Sequence, residues 1–417
     1  TRRDTLLPHE SRCMVDSQPT FNGCTLSDTW QAVKPRRSCS RLHLDRTIRT
    51  DQEQYETKTG PLMIRIALVG VGHWAGKHLA ALERLSARAQ VTAVARRQAH
   101  VPVDSPGFRH APIADFDEIC FSKDIDAVIV CSPNHLHPIQ AERALRAGKH
   151  VFCEKPLALT EADADALLQV AGQTDKVLLV GHLTRYAPVY CAVAEWLAKG
   201  LLGCPKTFYS ARFQVQIHES WRLDPQKGGG APFDLLIHDY DLMLWYVGLP
   251  ATVYATGIRS AGKAPLYAAA LFTHPSGAVS VIEGGFVLNE GSGLRSWQRI
   301  VCEHGYIEIT PSDLNGPMMV FLEGKEPERV QVATRDIVTE AITNELTEFL
   351  DALEGRFRNR LRIEDARNAV LCADRVTRSI QTGRTMSLGK TGQGGSPVWL
   401  QAGNDDFEGV PQTDTMR

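Results

Sequence analysis

The feature that most constrains the fold is the regular alternation of apolar strands with helices between Met63 and about Thr184. The runs that predict these elements are 64–70, 90–96, 126–133, 150–156 and 176–182 for strands, and 75–88, 137–149 and 161–173 for helices. Strands that are apolar along their whole length must be covered on both faces, and the intervening helices supply that cover. This part of the sequence therefore predicts an α/β domain built on a parallel sheet.

The pattern changes after a helix predicted around residues 187–200. Residues 207–217 alternate apolar and polar, and the strand runs that follow are joined by short turns such as Pro275-Ser276-Gly277 and His304-Gly305. Strand pairs joined in this way indicate an antiparallel meander. Two helices, over about 336–354 and 364–382, are predicted to close this second domain.

Composition limits the classes of partner. The 417 residues carry a formal net charge of −2, which gives no sign of nucleic acid or of an anionic membrane as a partner. No apolar run reaches the roughly 18 residues of a membrane helix. The ten cysteines form no C-x-x-C pair, so no metal site is predicted. Several lie within strand patterns, which favours reduced, buried thiols in a cytoplasmic protein.

Both ends of the chain lack the periodicity of the centre. Residues 1–62 mix Arg, Ser, Asp and Thr, and we predict a disordered extension. Met63 stands directly before the first strand, so a chain that starts there is expected to keep full activity. The Gly-rich segment 389–417 predicts a flexible tail. The predicted domains are therefore 63–184 and 185–388.

The turn after the first strand carries a phosphate-binding pattern. Gly70, Gly72 and Ala75 match G-x-G-x-x-[GA], with His73 and Trp74 between them, and the pattern lies between a strand and a helix. The first glycine permits the tight turn, the second lets the backbone approach a pyrophosphate, and the small third residue allows close packing. These residues predict a dinucleotide site.

The residues after the second strand bear on the choice of dinucleotide. Arg96 and Arg97 stand where an acidic residue would bind the ribose hydroxyl of NAD. Two guanidinium groups suit the 2′-phosphate of NADP, to which they can donate paired hydrogen bonds. A solvated surface pair is the alternative. NADP is the preferred cofactor on this reasoning, and NAD is the alternative.

Two further stretches resemble a known family. They are "CSPNHLHPIQAERALRAGKHVFCEKPLALT" at 131–160 and "KGGGAPFDLLIHDYD" at 227–241, and the likeness runs from about Met63 to Leu388. They resemble the signature of the glucose–fructose oxidoreductase and inositol dehydrogenase (Gfo/Idh/MocA) family. The resemblance implies an N-terminal Rossmann NAD(P)-binding domain followed by an α/β domain with a large open, mostly antiparallel sheet.

The resemblance also implies the catalytic residues. Lys155 matches the family's active-site lysine, and Asp234 and His238 match a D-x-x-x-H pair that joins the lysine at the nicotinamide. An ammonium group at the carboxyl end of a strand can bond a substrate hydroxyl, and an imidazole can accept its proton. His238 is thus the predicted general base, and Asp234 holds the hydroxyl or orients the histidine. The i, i+4, i+7 spacing of Asp234, His238 and Asp241 predicts one shared helix face.

The remaining predicted site residues line the cofactor or the substrate. Glu154 is predicted to contact the cofactor or to support the loop. The other cofactor residues implied by the family are Ser132, Pro133, Asn134 and His137. The predicted substrate residues are His182, Arg185, Tyr186, Trp221 and Arg222. For the residues of 181–188, a domain-linking salt bridge is the alternative, and for Arg185 a charged substrate is the functional interpretation.

These residues predict an NAD(P)-dependent oxidoreductase acting on a sugar, a polyol or a sugar nucleotide. One alternative is a non-catalytic NAD(P)-binding regulator of the same fold, which would be free to lose Lys155, Asp234 and His238. Another is a family reductase acting on a non-sugar carbonyl. An open sheet face needs cover, so we expect a homodimer or homotetramer paired through that sheet.

Overall fold

The computed structural model describes residues 63–95, 114–218, 220–259, 261–312, 316–330, 336–356 and 361–389. The predicted extension 1–62, the tail from residue 390, and Arg96 and Arg97 lie outside these ranges. Within them, no helix combines the length and the hydropathy that crossing a bilayer requires.

The N-terminal part forms a five-stranded parallel sheet, as the alternation of elements predicts. Its strands are β1 (Ile64–Val69), β2 (Ala89–Ala95), β3 (Ala127–Val130), β4 (His150–Glu154) and β5 (Leu178–Gly181), in the order β2-β1-β3-β4-β5. Because β1, β3 and β4 are neighbours and run in the same direction, their carboxyl ends lie at one edge of the sheet. Ligands bind at this edge in open α/β sheets.

The helices between these strands are α1 (His73–Arg84), α2 (Phe116–Phe121), α3 (His137–Arg146) and α4 (Glu161–Ala171). Six residues are too few for a periodic signal, so the sequence did not indicate α2. Its capping box is the local reason that it forms: Asp115 accepts from the N–H of Asp117, and Glu118 bonds back to the N–H of Asp115.

The second part forms a nine-stranded sheet. Its members are β6 (Pro205–Val215), β7 (Thr252–Ile258), β8 (Tyr267–Thr273), β9 (Val279–Leu288), β10 (Arg295–Cys302), β11 (Gly305–Ser312), β12 (Met318–Leu322), β13 (Glu328–Val330) and β14 (Met386–Ser387). Their order is β13-β12-β11-β10-β6-β9-β8-β7-β14. The sheet is mostly antiparallel, but β6 and β9 pair in parallel. The expected, mostly antiparallel sheet is thus confirmed, and the parallel pair arises because β6 inserts between two later strands and no hairpin turn sets its direction.

Five more helices complete the described fold: α5 (Pro188–Ala198), α6 (Ala231–Asp234), α7 (Ile237–Tyr246), α8 (Ile337–Leu353) and α9 (Ile363–Thr382). Every residue of α7 is buried. Helix α7 packs against α9 and against β6 of the second sheet.

Helix α8 packs on the first sheet, whereas the sequence pattern assigned it to the second domain. Its residues Ile342, Leu346 and Phe349 pack with Phe152 of β4, beside α1. Helix α1 covers only part of this face of the first sheet, and α8 buries the apolar strand surface that remains. The expectation that both last helices close the second domain is thus wrong for α8, whereas α9 packs as expected.

Candidate active site

The glycine turn after β1 has the backbone that a dinucleotide requires. Gly70 has φ +90°, and a Cβ there would lie 2.6 Å from the backbone N of Ser132, so only glycine fits. Gly72 is the N-cap of α1 without a side-chain cap, and a Cβ added to it would meet no atom within 4 Å. The first amides of α1 are therefore available to an anionic group, which fits a pyrophosphate.

The neighbouring predicted residues agree with this arrangement. Ala75 is fully buried, as close packing of the helix on the sheet requires, whereas His73 is exposed and Trp74 is half-buried. Ser132 and Pro133 follow β3 at the same edge, and the Ser132 hydroxyl donates to Gln140 Oε1 at 2.5 Å. A cofactor held at the glycine turn would therefore meet the ends of both strands.

Lys155 directly follows β4 and is buried against the second domain. Its Nζ donates to the backbone carbonyl of Asp234 at 2.8 Å and lies 4.0 Å from the Oδ1 atom of the same residue. The Lys155–Pro156 peptide bond is cis. The lysine and the aspartate, far apart in the chain, thus meet as the family resemblance implies.

A break between α6 and α7 explains why the Asp234 carbonyl can accept this bond. The Ala231 carbonyl accepts from the N–H groups of both Leu235 and Leu236, at 3.1 and 2.8 Å, which interrupts the regular helix. The prediction that Asp234, His238 and Asp241 share one face of a single helix is therefore wrong. Asp234 faces Lys155, whereas Asp241 faces a different set of partners.

His238 lies in the first turn of α7 and is buried. Burial lowers its pKa well below the ordinary value, and the positive charges of Lys155, Arg212 and His182 lower it further. The charge of Lys155 thus acts on the imidazole, and the amine itself contacts Asp234, four residues before His238. The Nδ1 atom of His238 has no hydrogen-bond partner in the described part of the chain, so this neutral ring retains an unused polar atom.

A buried ion pair holds α7 on one side of His238. Asp239 accepts hydrogen bonds from Arg212 Nε at 2.7 Å and from the Ser210 hydroxyl at 2.7 Å, both on β6. A guanidinium buried to this extent must have a carboxylate partner. Arg212 and Asp239 were not predicted as site residues, because the alternation of residues 207–217 assigns Arg212 to the polar side of the strand, whereas the structure buries it.

Arg185 forms the corresponding pair on the other side of α7. Its side chain is fully buried, and Nε and Nη2 bond Asp241 at 2.9 and 2.8 Å while Nη1 bonds Asp365 at 3.2 Å. This placement favours the domain-linking salt bridge over contact with a charged substrate. Tyr186, the next residue, is buried as well.

The other predicted substrate residues differ in their contacts and exposure. Arg222 Nε lies 3.5 Å from Asp234 Oδ2, and Trp221 is 39% exposed beside it. His182 is fully buried, with Nδ1 3.7 Å from Asp241 Oδ2, and neither of its ring nitrogens has a hydrogen-bond partner among the residues described. Trp221 and Arg222 are therefore the accessible members of this set.

The side chains of Asn134 and His137 contact backbone carbonyl groups of the segments that form the site. Asn134 Nδ2 donates to the carbonyl of Gly228 at 3.0 Å, which joins the turn after β3 to the glycine turn of the second domain. The ring nitrogens of His137 lie 2.8 and 2.7 Å from the carbonyl oxygens of Pro156 and Ser132. The ring thereby bridges the ends of β3 and β4.

Glu154 connects the end of β4 to helix α1. It is buried, and its Oε1 atom lies 2.7 Å from His78 Nε2 of α1. Of its two predicted roles, this contact favours support over direct cofactor binding. Sequence reasoning missed His78 and its neighbour Glu345, although each is a polar residue at a core position of an apolar helix pattern.

Comparisons with known proteins agree with the fold and with these motifs. Residues 64–182 match the model of an oxidoreductase family with an NAD-binding Rossmann fold, and residues 190–308 match the Gfo/Idh/MocA C-terminal domain. An inositol 2-dehydrogenase of Rhizobium meliloti is 26% identical over 78% of this chain and all of that protein. A UDP-N-acetylglucosamine 3-dehydrogenase of Acidithiobacillus ferrooxidans is 27% identical over 70% of this chain and 88% of that protein.

A solved structure supports the fold. A levoglucosan dehydrogenase in complex with NADH and levoglucosan has a TM-score of 0.72 at 18% identity, over 78% of this chain and all of that chain. The two matched family models together cover more than half of the sequence, in the order that the structure shows. The chain therefore belongs to the Gfo/Idh/MocA family of NAD-binding oxidoreductases.

Proposed function

We propose that the protein is an NAD(P)-dependent dehydrogenase that interconverts a hydroxyl and a carbonyl group on a sugar or polyol. The observation that carries the proposal is the contact of Lys155, at the end of the first sheet, with Asp234 of the second domain, whose neighbour in the chain, His238, is under the electrostatic influence of the same amine. This contact occurs at the edge of the sheet where the glycine turn lies.

The chemistry follows from the charge states of these groups. His238 has a lowered pKa and is neutral at neutral pH, so it can accept the proton of the substrate hydroxyl. The Lys155 ammonium can donate a hydrogen bond to the same oxygen and stabilise its developing negative charge. Gly70, Gly72 and the amides of α1 would hold the dinucleotide, which when bound supplies the hydride acceptor.

The placement of Arg185 favours a neutral substrate. This guanidinium was the residue interpreted as binding a charged substrate, and it is fully buried between Asp241 and Asp365. Trp221 and Arg222 remain at the accessible side of Asp234, where an aromatic face and hydrogen-bond donors suit a polyhydroxylated ring. The similarity to an inositol 2-dehydrogenase supports a neutral substrate, and the similarity to a UDP-N-acetylglucosamine 3-dehydrogenase supports the alternative.

A nicotinamide fluorescence screen tests the proposal. The full chain is incubated with NAD or NADP and with sugars, inositols and UDP-sugars in turn, and the Lys155→Ala variant serves as the inactive control. Reduced cofactor formed with neutral sugars or inositols supports the proposal. Turnover with UDP-sugars alone would contradict the neutral substrate, and cofactor binding without turnover of any substrate would favour the regulator.

We also propose that NADP is preferred over NAD, which rests on the sequence positions of Arg96 and Arg97. Arg96→Asp should lower the ratio of kcat/KM for NADP over NAD about tenfold or more, because a charge-assisted bond to the 2′-phosphate is replaced by repulsion. Arg329→Asp, an exposed arginine on β13, is the matched control. An unchanged ratio in Arg96→Asp would count against the phosphate role.

We also propose that the protein is located in the cytoplasm. Cys153 and Cys372 are fully buried free thiols, and burial raises the pKa of both. Protonated, inaccessible thiols of this kind fit a reducing compartment. Fractionation of cells that express the full chain would test the location.

A further inference from the structure

Three ionisable side chains meet in the core beneath the candidate active site. His78 of α1, Glu154 of β4 and Glu345 of α8 are each less than 5% exposed, and one polar atom from each lies within 4.8 Å of the others. His78 Nε2 and Glu154 Oε1 form a hydrogen bond of 2.7 Å. Both carboxylate oxygens of Glu345 are buried and accept no hydrogen bond from the residues that the structure describes.

Two carboxylates at this depth cannot both be ionised beside a single imidazole without a large cost in desolvation and repulsion. The titratable groups that act on Glu345 are His78, Cys131, Glu154 and Glu348. The further groups that act on Glu154 are His137, Lys155 and His182. None of the groups that act on Glu345 carries a permanent positive charge, so a bound proton is the simplest way to neutralise its carboxylate.

We propose that Glu345 is a neutral carboxylic acid whose O–H donates to Glu154, so that His78, Glu154 and Glu345 form a buried proton-sharing cluster that positions Lys155. Glu154 lies at the centre of the cluster and directly precedes Lys155 in the chain. Its carboxylate then has a donor on α1 and a donor on α8, which fixes the end of β4 from two helices.

The electrostatics of the two acids are consistent with this division of roles. Burial raises the pKa of Glu345 well above its ordinary value, and the charges of Glu154 and Glu348 raise it further. Burial also works to raise the pKa of Glu154, but the hydrogen bond and charge of His78 and the charge of Lys155 outweigh it, so this pKa is lowered. One acid therefore keeps its proton while the other remains the acceptor.

The first test is spectroscopic and does not involve turnover. Isotope-edited infrared spectra of the full chain at neutral pH should contain the carbonyl stretch of a buried protonated carboxyl group, and this band should be absent from Glu345→Gln. The absence of such a band in the wild type would overturn the proposal. Stoichiometric binding of Zn²⁺ that is lost in Glu345→Gln would overturn it too, because a metal would then replace the proton.

The second test is the pH dependence of unfolding. The unfolded chain releases the Glu345 proton near the ordinary carboxyl pKa while the folded chain retains it, so this residue's contribution to stability is full below that pH and falls as pH rises. Glu345→Gln cannot release a proton and should flatten this decline, whereas Glu83→Gln, an exposed residue of α1, should not. Parallel profiles for wild type and Glu345→Gln would contradict the proposal.

The third test addresses the positioning of Lys155, and only this step rests on the proposed function. Glu345→Ala should lower kcat roughly ten- to a hundredfold, because the reactive amine is displaced, and Glu345→Gln should restore most of the loss because the amide still donates to Glu154. Equal activity of Glu345→Ala and wild type would contradict the positioning role while the spectroscopic result stands. Failure of the proposed function would appear instead as a wild-type chain that turns over no alcohol.

Discussion

Among single residues, His238 has the environment that bears most directly on the proposed proton transfer. Its pKa is lowered first by burial and then by Lys155, Arg212 and His182, so the neutral form prevails far below the pH at which free histidine titrates. A neutral ring beside an ammonium suits removal of a hydroxyl proton. The same burial makes the folded state sensitive to acid.

The first prediction concerns this histidine. His238→Gln should lower kcat by about 10²- to 10⁴-fold, since a general base is removed. The unfolded chain binds a proton near pH 6.5 that the folded chain refuses, so the contribution of His238 to stability is full above that pH and is lost as pH falls below it. Denaturant unfolding at several pH values should therefore show less acid sensitivity in His238→Gln. The exposed His304→Gln should match wild type in both measurements.

The second prediction concerns Lys155. Lys155→Ala removes the donor to the Asp234 carbonyl and the charge beside His238, so turnover should fall by about 10²- to 10⁴-fold while cofactor affinity changes little. Stopped-flow turnover and NADH fluorescence titration separate the two effects. Lys123→Ala, an exposed lysine before β3, is the control. Undiminished turnover would refute the catalytic assignment of Lys155.

Single residues could be proposed from the sequence where a motif contains them, but not where their environment depends on packing. Lys155, Asp234 and His238 were predicted through the family pattern, and the structure places the Lys155 amine on the carbonyl of Asp234. The partner of Arg185 could not be read from the sequence, because Asp241 and Asp365 come from distant helices. His78 and Glu345 were missed since a lone polar residue in an apolar helix pattern does not reveal its partner.

At the scale of elements, two short segments position the site: the glycine turn before α1 and the break between α6 and α7. The turn follows from local stereochemistry, because Gly70 adopts a φ that other residues avoid. The break between the two helices depends on where α6 docks. The regular i, i+4, i+7 spacing in the sequence instead predicted one continuous helix.

The third prediction belongs to the glycine turn. Gly72→Ala should fold normally, because its backbone is extended and a Cβ meets no atom within 4 Å, yet it should weaken NADH binding about tenfold or more by blocking the approach of the pyrophosphate. Gly76→Ala, inside α1, is the matched control and should stabilise the helix by up to about 1 kcal/mol without changing affinity. Equal affinities for NADH in the two variants would contradict the phosphate role.

For the molecule as a whole, the second sheet has one face covered by helices and one that the described residues leave partly exposed. On the partly exposed face, Tyr254, Leu271, Val281 and Tyr209 form a row of paired residues across β7, β8, β9 and β6. Tyr254 and Leu271 are 48% and 45% exposed. An apolar row of this kind is typical of a surface that is covered in an assembly.

The fourth prediction is a homodimer or homotetramer paired through this face. Light scattering of the full chain should give a multiple of the monomer mass. The double substitution Leu271→Glu and Val281→Glu should give a monomer, because it buries charges opposite each other in neighbouring strands. Ile139→Glu, which changes an exposed apolar residue on α3, should leave the mass unchanged. A monomeric wild type would contradict the prediction.

Sequence patterns were enough to predict the first sheet and the glycine turn, and to propose the reactive side chains. Each is encoded locally, in a period, a turn or a short motif. Three contacts became visible only in the folded chain: α8 covers the first sheet, β6 inserts beside β9, and Glu345 lies close to Glu154. These contacts join residues far apart in the chain, and their energy depends on burial and charge, which exist only after the elements have packed together.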